Sequence, residues 1–197
     1  MATFERGFKA WAERTALAFR RELGLTAHDP LQPESLVAHL GITLWTPHQV
    51  PGLPKDVIHQ LLYKDPWGWS GVSLEVDGQG IIIYNPRNSR GRQASDITHE
   101  GSHFILDHQP ATLIVSPAFD GAMRSFNPKQ EDEANWLAWC LLLPREALLH
   151  AIQRGWSIPD IATFFGVTET LVTFRLQKTG VLTQFKAASR RKGPMGA

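Results

Sequence analysis

The sequence feature that most constrains this chain is the pentapeptide His-Glu-Gly-Ser-His at residues 99–103. Its two histidines are four residues apart, so on a helix they lie one turn apart on the same face, where two imidazole nitrogens can reach one tetrahedral metal ion. Glu100 follows the first histidine, at a position from which a carboxylate can take a proton from an attacking water. We therefore predict that His99 and His103 bind zinc, with manganese as the alternative, and that Glu100 is the general base of a peptidase.

Two histidines do not complete a zinc site in a peptidase, so the third ligand decides the class. Metzincins carry a glycine three residues and a third histidine six residues after the second histidine. Here these positions hold Leu106 and Gln109, and His108 is one residue out of register. The metzincin class is therefore excluded, and a carboxylate from a second helix is the next candidate.

The segment Glu-Asp-Glu-Ala-Asn at residues 131–135 offers such carboxylates. Glu131 and Asn135 share a helical face, whereas Glu133 points elsewhere. An asparagine placed four residues after a ligand can accept the free ring N–H of a ligand histidine and fix its tautomer. We therefore favour Glu131 as the third metal ligand and keep Glu133 as the alternative.

Hydrophobic periodicity and breaker residues predict a mainly helical chain with a small sheet. The pattern indicates helices at 4–23, from 33 to the glycine at 41, at 95–107 with Ser95 as the cap, at 129–143, and from Pro144 onward. Strands are expected at 42–45, 72–76 and 80–84, the last two joined by an Asp-Gly hairpin turn at 77–78. Residues 46–70 are rich in proline and glycine and are interpreted as a long irregular loop. We expect strand 80–84 to pair with an extended substrate.

Residues 158–175 have the spacing of a helix–turn–helix, with Gly166 at the turn and Thr168 as the cap of the second helix. The side chains that would face DNA are Thr168, Glu169, Thr170, Thr173 and Arg175. This surface is poor in basic residues and includes an acid, so its attraction for phosphates is weak. We interpret the segment as a structural or substrate-docking module rather than a DNA reader. The basic residues between 175 and 192 are the argument for direct DNA binding.

The chain has 197 residues, a formal net charge of +1 and one cysteine, Cys140. This charge gives no overall field that would attract nucleic acid or a membrane, and a lone cysteine cannot form an internal disulfide. We identify no signal peptide and no apolar run long enough to span a bilayer, so a cytoplasmic setting is expected. We expect a metallopeptidase domain over 1–150, a helix–turn–helix-like segment over 151–185 and a disordered basic tail over 186–197.

Several side chains outside the motif are further candidates for the site. Tyr84 and His108 could stabilise an oxyanion, although a structural role is favoured for both. Trp67 and Trp69 could form an aromatic wall for substrate or pack their loop onto the core. The arginines at 87, 90 and 92 could bind a peptide or remain solvated, and both interpretations stay open.

Taken together, the motif residues resemble the ImmA/IrrE family of bacterial zinc metallopeptidases. The run DITHEGSHFILDH at residues 96–108 is followed by EDEANWLAWCLLLP at residues 131–144. The family pairs an HExxH helix with a later helix of the pattern E-x-E-A-[ND]-x-[FL]-A-x-x-L-L-x-P. The run IIIYNP at 81–86 and the pair Arg92-Gln93 are also similar to the family, and the resemblance covers residues 33–180.

The resemblance implies an α+β fold, namely a mainly helical, thermolysin-like metallopeptidase core with a small β-sheet, followed by a helix–turn–helix-like C-terminal segment. By this matching, His99, His103 and Glu131 are the metal ligands and Glu100 is the general base. One departure lies inside the motif, where residues 101–102 are Gly-Ser and the family usually has Leu-Gly. A glycine inside a helix costs about 1 kcal/mol relative to alanine, so the local packing is expected to differ.

Members of the family typically cleave a partner repressor of the helix–turn–helix (Xre/Cro-like) type. The leading hypothesis is therefore a zinc endopeptidase that cleaves a repressor encoded nearby and derepresses genes in a stress, mobile-element or toxin–antitoxin-like system. The alternative is a DNA- or repressor-binding regulator in which the metal site is only structural. Glu100 discriminates between them, because a structural site needs no general base beside the metal.

Overall fold

The structure, a computed structural model, describes residues 4–108, 113–115, 122–124 and 127–191. Its α-helices are α1 (Phe8–Glu22), α2 (Pro33–His39), α3 (Lys55–His59), α4 (Arg90–Ile105), α5 (Pro128–Leu142), α6 (Arg145–Gln153), α7 (Ile158–Phe165), α8 (Glu169–Thr179) and α9 (Val181–Arg191). Its strands are β1 (Thr43–Trp45), β2 (Gly71–Val76), β3 (Gln79–Tyr84), β4 (Leu113–Val115) and β5 (Ala122–Arg124). The predicted α+β class, mainly helical with a small sheet, is confirmed.

The segment 46–70 is more ordered than its composition indicated. A 3-10 helix spans Pro47–Gln49, and α3 continues directly into a π-helix at Gln60–Lys64. Thr46 and Gln49 form a capping box around the 3-10 helix. Three short helices therefore occupy much of the segment that we predicted as a long irregular loop.

The three-stranded sheet has the order β1-β3-β2, with β3 in the centre. β1 pairs with β3 in parallel, and β2 pairs with it in antiparallel fashion through the predicted hairpin, where Asp77 and Gly78 have φ values of 52° and 77°. Because both edges of β3 are already paired, this strand cannot add a substrate strand, and our expectation for 80–84 is wrong. β2 is the edge strand next to the motif helix. β4 and β5 form a separate antiparallel pair.

Helix α4 begins six residues earlier than predicted, because Ser89 rather than Ser95 is its cap. The Ser89 hydroxyl accepts a hydrogen bond from the backbone N–H of Arg92 at 3.4 Å. The side chain of Gln93 reinforces this start by donating to the carbonyls of Pro86 and Asn88. The additional turn carries residues 90–95 on the helix that bears the two histidines.

Helix α5 is the centre of the packing, since α1 and α4 both contact it. The last carbonyls of a helix have no intrahelical partners, and here they lie in the core. Arg20 of α1 donates to the carbonyls of Leu141 and Leu142, and Arg175 of α8 donates to that of Leu143. Both arginines are fully buried. Their positive charges also match the negative end of the helix dipole.

The predicted helix–turn–helix is present as α7 and α8. Gly166 makes the turn with a φ of 65°, and the Thr168 hydroxyl caps α8 by accepting from the N–H of Leu171. Arg175 is not available to DNA, because it is buried and paired with Glu13 of α1 at 2.6 Å. The segment shares one core cluster with α1 and α5.

The C-terminal region differs from our prediction of a disordered tail from residue 186. Helix α9 continues to Arg191, while residues 192–197 lie outside the described residues. Within the part of the chain that the structure describes, no helix has the length and apolar character needed to cross a bilayer.

Two glycines of α4 lie in very different surroundings. A Cβ at Gly91 would lie 2.8 Å from the carbonyl carbon of Val167 and 2.9 Å from the backbone nitrogen of Thr168, so the turn between α7 and α8 packs directly on the start of α4. A Cβ at Gly101, which is buried, would meet Val37 at 3.4 Å, an ordinary contact. The unusual glycine of the motif thus leaves room for the methyl group of an alanine.

We expect Gly101→Ala to raise the free energy of unfolding by up to about 1 kcal/mol, because alanine is the better helix former and fits the space. Gly91→Ala, the matched change in the same helix, should instead lower it, since backbone atoms must move. Urea denaturation monitored by circular dichroism would measure both. A loss of stability for Gly101→Ala equal to that for Gly91→Ala would contradict this assignment.

We expect Glu13→Ala to lower the free energy of unfolding by about 3–5 kcal/mol, because it leaves the buried Arg175 guanidinium without its carboxylate. Glu22→Ala is the control on the same helix. Glu22 pairs with His39 at an exposed site, and exposed pairs contribute at most about 1 kcal/mol. Equal losses for the two variants would show that the buried pair is not important for stability.

Candidate metal centre

His99, His103 and Glu131 converge between α4 and α5. The Nε2 atoms of the two histidines are 3.2 Å apart. Glu131 spans both rings, with one oxygen 3.2 Å from His99 Nε2 and the other 3.7 Å from His103 Nε2. The three side chains are half-buried and each offers one ligand atom to a common centre.

These three side chains fit a divalent metal ion such as zinc. Ligand atoms about 2.1 Å from a tetrahedral ion lie about 3.4 Å from one another. The Nε2 atoms of the two histidines are 3.2 Å apart, and one ligand atom from each of the three residues lies within 4.8 Å of the other two. Two imidazoles and one carboxylate are also the ligand set of catalytic zinc sites that keep a fourth position open. The group could therefore hold a metal ion.

Glu100 points towards strand β2. It is 5% exposed, and its Oε2 accepts a hydrogen bond from the hydroxyl of Ser73 at 2.5 Å. Gly71 is next to this side chain, since a Cβ there would make an ordinary contact of 3.4 Å with it. The edge strand thus fixes the carboxylate beside the histidines, and Ser73 is a contact that the sequence motif did not reveal.

His108 and Glu133 lie behind His103, on the side away from Glu131. His108 Nδ1 is 3.0 Å from His103 Nδ1, and His108 Nε2 is 3.4 Å from a carboxylate oxygen of Glu133. Burial lowers the pKa of His108, although Glu133 acts in the opposite direction. His108 thus contacts the ring of His103, and Asn135, which we predicted to bond a ligand histidine, lines the adjacent cavity.

A cavity of about 600 Å³ opens beside the three converging side chains. Its polar lining includes Ser70, Arg92, Ser95 and Asp96. Its apolar lining includes Trp139, Leu171 and Phe174. The rings of Trp139 and Phe174 meet edge to face, with their centroids 4.4 Å apart. These two side chains form the aromatic wall that the sequence suggested for Trp67 and Trp69.

The polar side chains of the cavity lining take part in a hydrogen-bonded network. Asp96 accepts from Arg92 at 2.9 Å and from Asn88 at 3.0 Å. Burial raises the pKa of Asp96, although both partners favour its charged form. Arg92 also donates to the hydroxyl of Ser70 at 2.8 Å. Of the three arginines left open by the sequence, Arg92 therefore reaches the cavity.

The remaining candidates from the sequence lie elsewhere. Tyr84 packs on a small core cluster. Trp69 donates to the carbonyl of Leu61, and Trp67 is 75% exposed. Cys140 is buried, which raises the pKa of its thiol to about 12 and makes it a poor nucleophile.

The helix–turn–helix-like segment contributes one wall of this cavity. Thr168 and Thr170, two of the side chains that would face DNA, line it together with Leu171 and Phe174. Sequence periodicity could not reveal this role, because it depends on how α8 packs against α4 and α5.

Residues 57–177 match the model of a protein family described as the IrrE N-terminal-like domain, which is classed as a peptidase. A solved structure described as a Mycobacterium tuberculosis transcriptional regulator is similar, with 18% sequence identity and a TM-score of 0.48. The match covers 88% of this chain and 48% of that one, so the chain spans about half of that protein. No curated protein matches the chain.

We expect Glu131→Ala to leave substoichiometric metal on the protein, because Glu131 is the carboxylate that lies within reach of both Nε2 atoms. Glu133→Ala, the matched change two residues along the same helix, should still bind stoichiometric metal at saturating concentration. Elemental analysis for zinc and manganese after dialysis against each metal would measure the content. Loss of metal from Glu133→Ala alone would show that the wrong glutamate has been assigned.

Proposed function

Because the chain belongs to the family of IrrE N-terminal-like peptidase domains, we propose that it is a zinc-dependent endopeptidase that cleaves a partner transcriptional repressor of the helix–turn–helix type. His99, His103 and Glu131 hold the metal, and Glu100 is the general base. The observation that carries the proposal is the placement of Glu100, which is fixed by Ser73 beside the converging ligands. A purely structural site would not need this carboxylate.

The chemistry divides between the metal and the chain. His99, His103 and Glu131 would hold an ion that would act as a Lewis acid, polarising the scissile carbonyl and lowering the pKa of an attacking water. Glu100 takes the proton of that water and passes it to the leaving amine. The hydroxyl of Ser73 donates a hydrogen bond to Oε2 of Glu100 and so holds the carboxylate in one orientation. Oε1 is then the oxygen that would accept the proton.

Strand β2 supports binding of an extended peptide. It pairs with β3 along one edge only among the described residues, so its other edge can donate and accept main-chain hydrogen bonds. Ser73 of this strand donates to Glu100, and Gly71 lies next to the same side chain. A peptide added to β2 would therefore pass next to the general base.

The cavity supplies the contacts for side chains of such a peptide. Its apolar lining residues Trp139, Leu171 and Phe174 suit an apolar side chain. Its polar lining presents the guanidinium of Arg92 and the carboxylate of Asp96. Glu131, Asn135 and Trp139 follow one another at four-residue intervals on α5, so one helix face leads from the metal ligands to the aromatic wall.

The alternative, a DNA- or repressor-binding regulator with a structural metal, has less support. Arg175, the basic residue of the surface that would face DNA, is buried against Glu13. Thr168 and Thr170 of the same surface line the cavity. We propose a helix–turn–helix repressor encoded near this gene as the substrate. Its cleavage would derepress the genes of a stress, mobile-element or toxin–antitoxin-like system.

We expect Glu100→Gln to lower the rate of repressor cleavage by about 10²–10⁴-fold, because the amide cannot accept the proton, while the metal remains bound. The assay is co-incubation of the zinc-loaded protein with the purified repressor, followed by mass spectrometry of the fragments. Glu146→Gln, at an exposed position of α6, is the control and should cleave normally. Cleavage by Glu100→Gln at the normal rate, or no cleavage by the unchanged chain, would favour the regulator alternative.

A further inference from the structure

The C-terminal end of α4 places His108 against His103, one of the proposed metal ligands. Asp107 adopts a left-handed conformation with a φ of 51°. The N–H of His108 bonds to the carbonyl of His103 at 3.0 Å, and the N–H of Asp107 bonds to that of Phe104 at 3.2 Å. These two bonds define a Schellman motif, which brings the residue after the left-handed position back over the last full turn of the helix.

Such motifs usually bring two apolar side chains together at these positions. Here the two side chains are imidazoles, and their Nδ1 atoms are 3.0 Å apart. The five-residue spacing of His103 and His108, which is out of register for a third metal ligand, is the spacing that the helix cap requires for this contact.

The direction of the hydrogen bonds follows from the role of His103. Its Nε2 faces His99 and Glu131, so a metal bound there takes the lone pair of Nε2, and the ring proton must reside on Nδ1. His103 then donates from Nδ1 to the Nδ1 of His108. A neutral His108 that accepts at Nδ1 carries its own proton on Nε2, which points at Glu133.

We propose that His108 and Glu133 form a relay that positions His103 for the metal, with Glu133 accepting from His108 and His108 accepting from His103. This inference rests on the proposed metal site and deepens it. His108 and Glu133 are positioning residues, because both act through His103. A carboxylate at the far end of the relay raises the basicity of the ligand ring and fixes its tautomer, as a directly bonded carboxylate does in other metal sites.

The burial of the relay supports this role. The side chains of His108 and Glu133 are only 7% and 14% exposed, so water competes little for their hydrogen bonds. Lys129 lies one turn before Glu133, with its Nζ 3.8 Å from the carboxylate. The relay also gives Glu133 a function that differs from that of Glu131, although both lie on α5.

The test is the affinity for zinc, measured by competition with a chromophoric chelator. His108→Phe keeps a ring of similar size but removes both polar atoms, and we expect it to weaken zinc binding by about 10–100-fold. His108→Asn places an amide oxygen near the position of Nδ1, so it can still accept from His103 and should retain most of the affinity. Glu133→Gln keeps an acceptor without the charge and should show an intermediate loss.

His48→Phe removes a histidine at an exposed site and is the matched control, which should bind zinc normally. Nitrogen-15 NMR of the zinc-loaded protein gives a readout that a merely structural role would not change. We expect a protected Nδ1–H signal of His103 in the unchanged chain and in His108→Asn, and its loss in His108→Phe.

Normal zinc affinity and an unchanged His103 signal in His108→Phe would overturn the relay while leaving the metal site intact. Equal losses in His108→Asn and His108→Phe would likewise show that the accepted hydrogen bond is not what matters. If His108→Phe fails to fold, His108→Asn and Glu133→Gln decide the question by the same two measurements. Failure of the proposed function is distinct, since His99→Ala would then bind zinc as tightly as the unchanged chain.

Discussion

The carbonyl groups at the C-terminal end of α5 lie inside the protein, where water cannot satisfy them. Two guanidinium groups do so, one from α1 and one from α8. Arg20 also donates to the carbonyl of Asp29, and Arg175 also pairs with Glu13. Each arginine therefore connects α5 to a different part of the chain. A buried guanidinium is costly unless its charge and most of its donors find partners, and here, among the described residues, Nε of Arg20 and Nη1 of Arg175 are the donors left without one. The remaining contacts favour one arrangement of the surrounding helices.

This arrangement determines what the other end of α5 can do. Glu131 lies in the first turn of the helix, and it must reach two imidazoles on α4 at the same time. Because α5 is held at its far end and packed along its length against α4, the carboxylate is delivered to the histidines without depending on the loop that precedes it. The aromatic wall follows from the same packing, since Trp139 of α5 meets Phe174 of α8, the helix that supplies Arg175.

The sequence predicted the parts of the site that depend on local spacing. The four-residue interval of His99 and His103, and the helical face shared by Glu131 and Asn135, follow from the geometry of a helix alone.

The parts that depend on tertiary contacts were not predictable. Ser89 and Ser95 are equivalent as caps in the sequence, and only the contacts of Gln93 with the preceding turn favour the earlier start. Arg175 is a residue type that commonly contacts DNA. Here it is buried and paired with Glu13, which lies 162 positions away in the chain. Ser73 gives no signal at all, because its role arises from the register of β2 against β3.

The left-handed residue that ends α4 has a consequence for how such sequences are interpreted. Residues after an HExxH motif are normally inspected for a further ligand at a fixed distance. The helix end at Asp107 shows a different use of that segment, because the chain reverses there and places the side chain of His108 against that of His103. The five-residue spacing of His103 and His108 then reflects the geometry of a helix terminus and not that of metal coordination. In other chains of this kind, a histidine five residues after the second motif histidine, preceded by Gly, Asn or Asp, would mark the same reversal.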